Sequence, residues 1–213
     1  KIHLFLLVRF LEIQSKKYEI MNKIILTITL LFSFFINSQV QMNVDKSNIK
    51  WTGKELTTKE HYGALKFSKA NLEYEDEKLV GGEFIVDMTT LDVQDLTGRG
   101  KERLEGHLRS DDFFSVDKHN NAYLKITEVI PAEFSRITLD EKSYELVGDL
   151  TIKDITHPIS FTLKPENNQS FRAELTFDRS KYDVRFRSGS FFENLGDKLI
   201  LDDIKLEVTL VKN

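Results

Sequence analysis

The sequence predicts an all-β fold of about eight antiparallel strands interrupted by one short helix. Three observations carry this. Apolar and polar residues alternate strictly in several segments, turn-forming residues separate those segments, and a single stretch near residues 99–109 breaks the alternation. Strict alternation puts every second side chain on one face of a strand, so each such segment has a dry face and a wet one.

In chain order, the first strand is expected through 49–55 and the second through 63–74. In the second the apolar parity shifts between Phe67 and Ala70, the mark of a bulge. Val80, Gly82, Phe84, Val86 and Met88 form the next row. Alternation is lost from Leu91 to Ser110, where Arg99-Gly100-Lys101-Glu102-Arg103-Leu104-Glu105 favours helix. The expected helix covers 99–109, with Leu104 and Leu108 buried on one face, Lys101 and Glu105 exposed, and Ser110 or Asp111 at its end. The later strands follow Ala122, Leu124 and Ile126; Tyr144, Leu146, Gly148, Leu150 and Ile152; Ile159, Phe161 and Leu163; Phe171, Ala173, Leu175 and Phe177; and Ile204, Leu206, Val208 and Leu210. Turns are expected at Glu75-Asp76-Glu77, Asp140-Glu141-Lys142, His157-Pro158 and Asn167-Asn168. One-sided strands in this number pack as two sheets or close on themselves. Closure at about eight strands leaves an interior just wide enough for side chains or one ligand.

The start of the chain has a different character. Met21-Asn22-Lys23 precedes thirteen uncharged residues, Ile24 to Ile36, and then Asn37, Ser38 and Gln39. A basic start, a short apolar run and a small-residue boundary describe a secretory signal peptide, and the run is shorter than the ~20 residues of a membrane span. The expected organisation is residues 1–20 as an upstream gene-model extension, 21–38 as the signal peptide and 39–213 as the folded domain. Residues 1–38 hold five Lys/Arg and two Asp/Glu, so the remainder carries 25 basic and 32 acidic side chains, a net charge of −7. That balance argues against nucleic acid as a partner. The absence of cysteine excludes disulfides, thiolate metal sites, a thiol nucleophile and a lipid-modified cysteine anchor. Export without cysteine fits a periplasmic or secreted protein.

Catalytic signatures are missing: there is no Gly-x-Ser-x-Gly, no His-Glu-x-x-His, no phosphate loop and no complete dinucleotide fingerprint. His107, Asp111 and His119 offer metal-ligand chemistry, but their spacing matches no zinc or calcium template. His61 follows a charged loop, as an exposed residue or one that orients a ligand head group. The run Arg179-Ser180-Lys181-Tyr182-Asp183-Val184-Arg185-Phe186-Arg187 alternates basic and aromatic residues. It reads as a charged edge strand, or as arginines, Arg185 among them, that meet a lipid head group at a cavity mouth. Asp202-Asp203 reads as a solvated strand end. Sixteen phenylalanines is a high count. Phe84, Leu124, Leu146, Phe161, Phe171 and Phe177 lie on dry faces, with Phe113 and Phe114 placed after the helix. Together they either fill a core or line a tunnel for an apolar ligand.

A set of modest motifs recurs in order along the chain: Ile49-Lys50-Trp51-Thr52-Gly53-Lys54, Gly82-Glu83-Phe84-Ile85-Val86-Asp87-Met88, the run from Gly106 to Phe114, Leu150-Thr151-Ile152-Lys153 with Thr156-His157-Pro158, Asp178-Arg179-Ser180, and Phe191-Phe192-Glu193-Asn194-Leu195-Gly196-Asp197. The set spans roughly residues 43–212 and resembles the YceI-like family of bacterial periplasmic proteins. Tyr182-Asp183 departs from it, since members often have Phe-Gly there. The resemblance implies an extended eight-stranded antiparallel lipocalin-like β-barrel with a long apolar tunnel for an isoprenoid tail, quinone or polyprenyl, and no chemistry. The expectation is therefore a secreted non-catalytic carrier of an isoprenoid or fatty lipid. It would have no catalytic cofactor and no metal, and would touch a membrane or a lipid-using enzyme only transiently. The competing readings are an enzyme acting on a bound lipid, with His107 or His61 as base, and a structural β-domain whose aromatics fill its core.

Overall fold

The computed structural model describes residues 12, 14–23, 37–57, 59–135 and 143–213. The apolar run 24–36 of the expected signal peptide and the turn expected at 140–142 lie outside the described residues. The chain divides into two units, Lys1–Ser38 with Glu75–Glu77, and Gln39–Tyr74 with Lys78–Asn213. In the first unit residues 14–23 are helical. No described helix is long and apolar enough to cross a membrane.

The strands are β1 (Asn37–Gln41), β2 (Asn48–Lys54), β3 (Glu60–Glu75), β4 (Lys78–Val93), β5 (Asn121–Pro131), β6 (Tyr144–Ile152), β7 (Ile155–Pro165), β8 (Ser170–Asp178) and β9 (Asp203–Val211), and helix α1 (Gly98–Arg109) lies between β4 and β5. The order β3-β2-β9-β8-β7-β6-β5-β4 returns to β3 through the β3–β4 pairing, so β2 to β9 form a closed eight-stranded antiparallel barrel, with β1 added on β3. Closure leaves those eight strands without an open edge. Because the strands alternate in direction, the connections 55–59, 94–120, 153–154 and 179–202 gather at one end, here called the capped end, and the others at the opposite end.

The inward parity of β3 changes from Leu65 and Phe67 to Ala70 and Leu72, as the alternation implied. Several expectations need correction. β4 continues through Leu91 to Val93, both buried, past the point where the alternation in the sequence ends. The β6–β7 turn is Lys153–Asp154, with both residues at positive φ, the backbone form whose twist suits a two-residue hairpin. His157 and Pro158 instead lie inside β7, paired with Leu150 and Asp149. Residues 179–187 are not a strand: Arg179–Tyr182 is a 3₁₀ turn, and turns follow it.

Helix α1 ends at Ser110, whose N–H and hydroxyl both bond the carbonyl of His107. Leu108 is buried and Leu104 half-buried against the core. Lys101 and Glu105, expected exposed, are partly covered because they bind the end of β4. Lys101 reaches Asp92 at 2.5 Å, and Glu105 accepts the Val93 N–H at 2.9 Å. Arg109 also donates to the Leu91 carbonyl. These polar ties together with the leucines hold the helix across the barrel end.

Gly63 marks the tightest crossing. A Cβ there would lie 1.9 Å from the Asp92 carbonyl oxygen and 2.7 Å from Cζ2 of Trp51. Backbone cannot retreat as a flexible side chain does, so Gly63→Ala should destabilise the barrel by about 1–3 kcal/mol or more. Denaturant unfolding of that variant at wild-type stability would show that the crossing relaxes. Leu108→Ala should cost about 2–5 kcal/mol and Leu104→Ala clearly less, since Leu104 is only half-buried. Equal losses in the same unfolding assay would show that the helix packs through both leucines alike.

Candidate functional site

The inward rows do not fill the barrel. At the capped end a cavity of about 220 Å³ remains. Its wall draws Ile49 and Trp51 from β2, Val86, Met88 and Leu91 from β4, Leu104 and Leu108 from α1, and Ile204 and Leu206 from β9. Phe113, Phe114 and Phe186 come from the capping loops. Gly53 and Ala122 also line it, and their small volume leaves space that larger inward residues would take up. A second cavity of about 60 Å³ lies deeper in the barrel, and every residue lining it is apolar. Ile49, Val86, Leu150 and Leu206 border both cavities. These four lie at the boundary between an upper and a lower chamber.

Of the residues expected at the site, Phe84, Leu124, Leu146 and Phe161 line the lower chamber, while Phe113, Phe114, Phe177 and His61 line the upper one. Phe171 is buried but lines neither chamber. It pairs with Leu210 and Pro165 at the far end, and Lys212 lies 5.2 Å above its ring. Arg185 also lies outside both chambers. It is exposed, paired with Asp183 and placed over Phe191, and it borders only an outer groove. Arg187 lines the upper chamber instead and is shared with that groove, as is Phe186. Sequence reasoning missed Trp51, Phe186 and Arg187 as lining residues. Parity would have found Trp51, two residues from Ile49 in β2. Phe186 and Arg187 sit in turns, so the alternation of 179–187 that reads as an edge strand does not place them.

Polar groups gather where the upper chamber meets the capping loops: Lys54, Glu55, His61, His107 and Arg187. His61, weighed as an exposed residue, is largely covered and pairs through Nδ1 with Asp95 at 2.7 Å. The second Asp95 oxygen accepts the Tyr62 N–H at 3.1 Å. His107 stacks edge-on against Phe186, with ring centroids 4.2 Å apart, and against Phe113 at 5.5 Å. Burial lowers the pKa of its imidazole, with Arg187 adding to the effect against the opposing pull of Asp112. A base shifted below its usual range is neutral at pH 7. His107 Nε2 and Trp51 Nε1 are buried with no hydrogen-bond partner among the described residues. His107 Nε2 is thus not held by a carboxylate among the described residues.

The three residues weighed as metal ligands do not converge. His119 Nδ1 lies 3.0 Å from the Asp154 carboxylate, Asp111 binds Ser115 and Lys118, and His107 faces the chamber. Among the described residues, no group of three or more His, Cys, Asp or Glu side chains is placed to hold a metal ion.

Known structures share this architecture. BcnA of Burkholderia cenocepacia superimposes with a TM-score of 0.62 at 19% identity, covering 81% of this chain and 99% of its own. A polyisoprenoid binding domain from Saccharophagus degradans, implicated in plant cell wall breakdown, gives a TM-score of 0.52 at 11% identity, covering 81% of this chain and 97% of its own. No curated protein matches the sequence. At these identities the two structures establish the fold alone. The sequence itself goes further: residues 41–212 match the model of the YceI-like domain, and with its closed barrel the chain belongs to the YceI-like family.

Proposed function

We propose that this protein is an exported, non-catalytic carrier that holds an isoprenoid, quinone or polyprenyl, or another long-chain lipid, inside the barrel. The observation that carries this reading is the pair of mainly apolar chambers inside the barrel, which share Ile49, Val86, Leu150 and Leu206 as lining. The Saccharophagus neighbour, described as a polyisoprenoid binding domain, supports the ligand class. Each methylene removed from water is worth about 0.8 kcal/mol, so a tail threaded through both chambers binds without any specific polar contact. The signal-peptide pattern at 21–38 and the lack of cysteine support a periplasmic setting.

The enzyme alternative has one observation in its favour, the His61–Asp95 pair at the chamber wall. A His–carboxylate pair becomes a catalytic base only beside a reacting atom of the bound ligand, and most of the described residues that line the chamber around His61 are apolar.

Organic extraction of the purified protein followed by mass spectrometry should recover an isoprenoid or long-chain lipid near one per barrel. Repeated preparations from the exporting cell without such a lipid would sink the carrier reading. At the boundary of the two chambers, Val86→Phe should exclude the tail from the lower chamber while leaving a folded barrel. Losing about four methylenes of burial, ~3 kcal/mol, lowers affinity roughly a hundredfold. Unchanged lipid retention in a folded Val86→Phe protein would show that the lower chamber is not used. N-terminal sequencing of exported protein should start within a few residues of Gln39; an intact Met21 or Lys1 would contradict processing.

A further inference from the structure

Buried hydrogen-bonding atoms without a partner are few in this barrel, and two of them belong to one chamber. Among the described residues, six side chains carry such an atom: Trp51, Asn71, His107, Arg109, His119 and Asp202. Of these only Trp51 and His107 line a chamber, the upper one in both cases. The atoms are Trp51 Nε1, which can only donate, and His107 Nε2, which donates in one of the two neutral tautomers. A buried donor left unpaired has lost its water without compensation, so a bound group that accepts from it recovers that loss.

Both rings are held by packing. Trp51 is 8% exposed and stands on β2 between Gly63 and Leu206 of the neighbouring strands; the missing side chain at Gly63 leaves room for its indole. His107 is flanked edge-on by Phe186 and Phe113. Rings already fixed in place lose little freedom on binding a ligand.

Charge narrows the class of head. The charged residues in the upper lining are Lys54, Glu55 and Arg187, and Lys54 already binds Glu60 at 3.2 Å. Glu55 and Arg187 bring opposite signs to the same wall. A phosphate or diphosphate head would carry its charge into a lining with no excess of cations, whereas a neutral oxygen needs only donors.

Resting on the carrier reading, we propose that the upper chamber holds the head of an uncharged lipid by its carbonyl oxygen, with the ring N–H groups of Trp51 and His107 as donors. The ligand class is then a ketone, quinone or ester on an apolar tail.

The test uses the exported protein and three probes with a branched isoprenoid skeleton: the ketone geranylgeranylacetone, geranylgeranyl diphosphate and the hydrocarbon phytane. Trp51 is the chain's only tryptophan, so its indole N–H gives a single proton–nitrogen resonance. The ketone should move that proton downfield, as a donated hydrogen bond does, and phytane should not. The ketone should also bind more tightly than the diphosphate. Trp51→Phe and His107→Phe each remove a donor and keep a ring. Each should weaken ketone binding about tenfold, the loss of one hydrogen bond, and phytane binding clearly less. His107→Phe reads the same contrast if Trp51→Phe does not fold. An indole resonance that answers ketone and hydrocarbon alike overturns the head-group site. So does tighter binding of the diphosphate, or an equal loss for ketone and phytane; in each case the carrier reading stands on the tail alone. A barrel that takes up none of the probes overturns the carrier reading and the head-group site with it.

Discussion

The capped end depends on Arg179, a guanidinium with no solvent exposure at all. Its Nε, Nη1 and Nη2 donate to the carbonyls of Leu201, Val184 and Ile200 at 3.1–3.2 Å. Nη2 also lies 3.2 Å from the Asp202 carboxylate, and the group sits 5.3 Å over the Phe113 ring. Burial pushes its pKa down, opposed by Asp202 and Asp178. A charge taken out of water persists only when its donors are satisfied, and removing one partner of such a pair typically costs about 3–5 kcal/mol. The long connection from β8 to β9 has almost no regular structure of its own, so this fan of hydrogen bonds decides its path. Asp202 completes the arrangement by accepting the hydroxyls of Ser188 and Ser190, each at 2.8 Å.

From that anchor the rest of the site follows. With 179–202 folded back over the barrel, Phe186 and Arg187 reach the chamber and Phe186 meets His107 of the helix. The helix is held from its other side by Lys101, Glu105 and Arg109 on the end of β4. Two independent polar clamps thus bring two capping segments over one barrel end. Apolar packing alone would leave their positions less determined, because dispersion contacts have little directional preference.

Alternation in the sequence carries most of the barrel, and the reason is geometric. A strand with one dry face must alternate, so β6 could be read residue for residue and the parity change in β3 was visible at Phe67 and Ala70. Parity tells which face a side chain occupies but not how high along the barrel it sits. Phe171 therefore looks like Phe177 in sequence, yet only Phe177 reaches a chamber. The loops were illegible for a different reason. Arg179, Asp202 and Arg185 are all charged, and only tertiary partners make the first buried, the second largely covered and the third exposed. Arg187, two residues beyond Arg185, occupies the place expected of it.

The distribution of polarity in the interior also orients what can enter. Among the described residues the lower chamber is lined by apolar side chains alone, so a polar atom placed there would lose its water without gaining a partner from them, a penalty of a few kcal/mol. Around the upper chamber Lys54, Glu55, His61, His107 and Arg187 lie toward the capping segments. An amphiphile minimises its desolvation by sending the tail past Ile49, Val86, Leu150 and Leu206 and leaving its head beneath the helix and the 179–202 loop. Discrimination between ligands then divides by depth. The lower chamber offers a ligand shape alone, whereas the polar groups among the described residues lie around the upper chamber, on β2, β3, the helix and the loop held by Arg179.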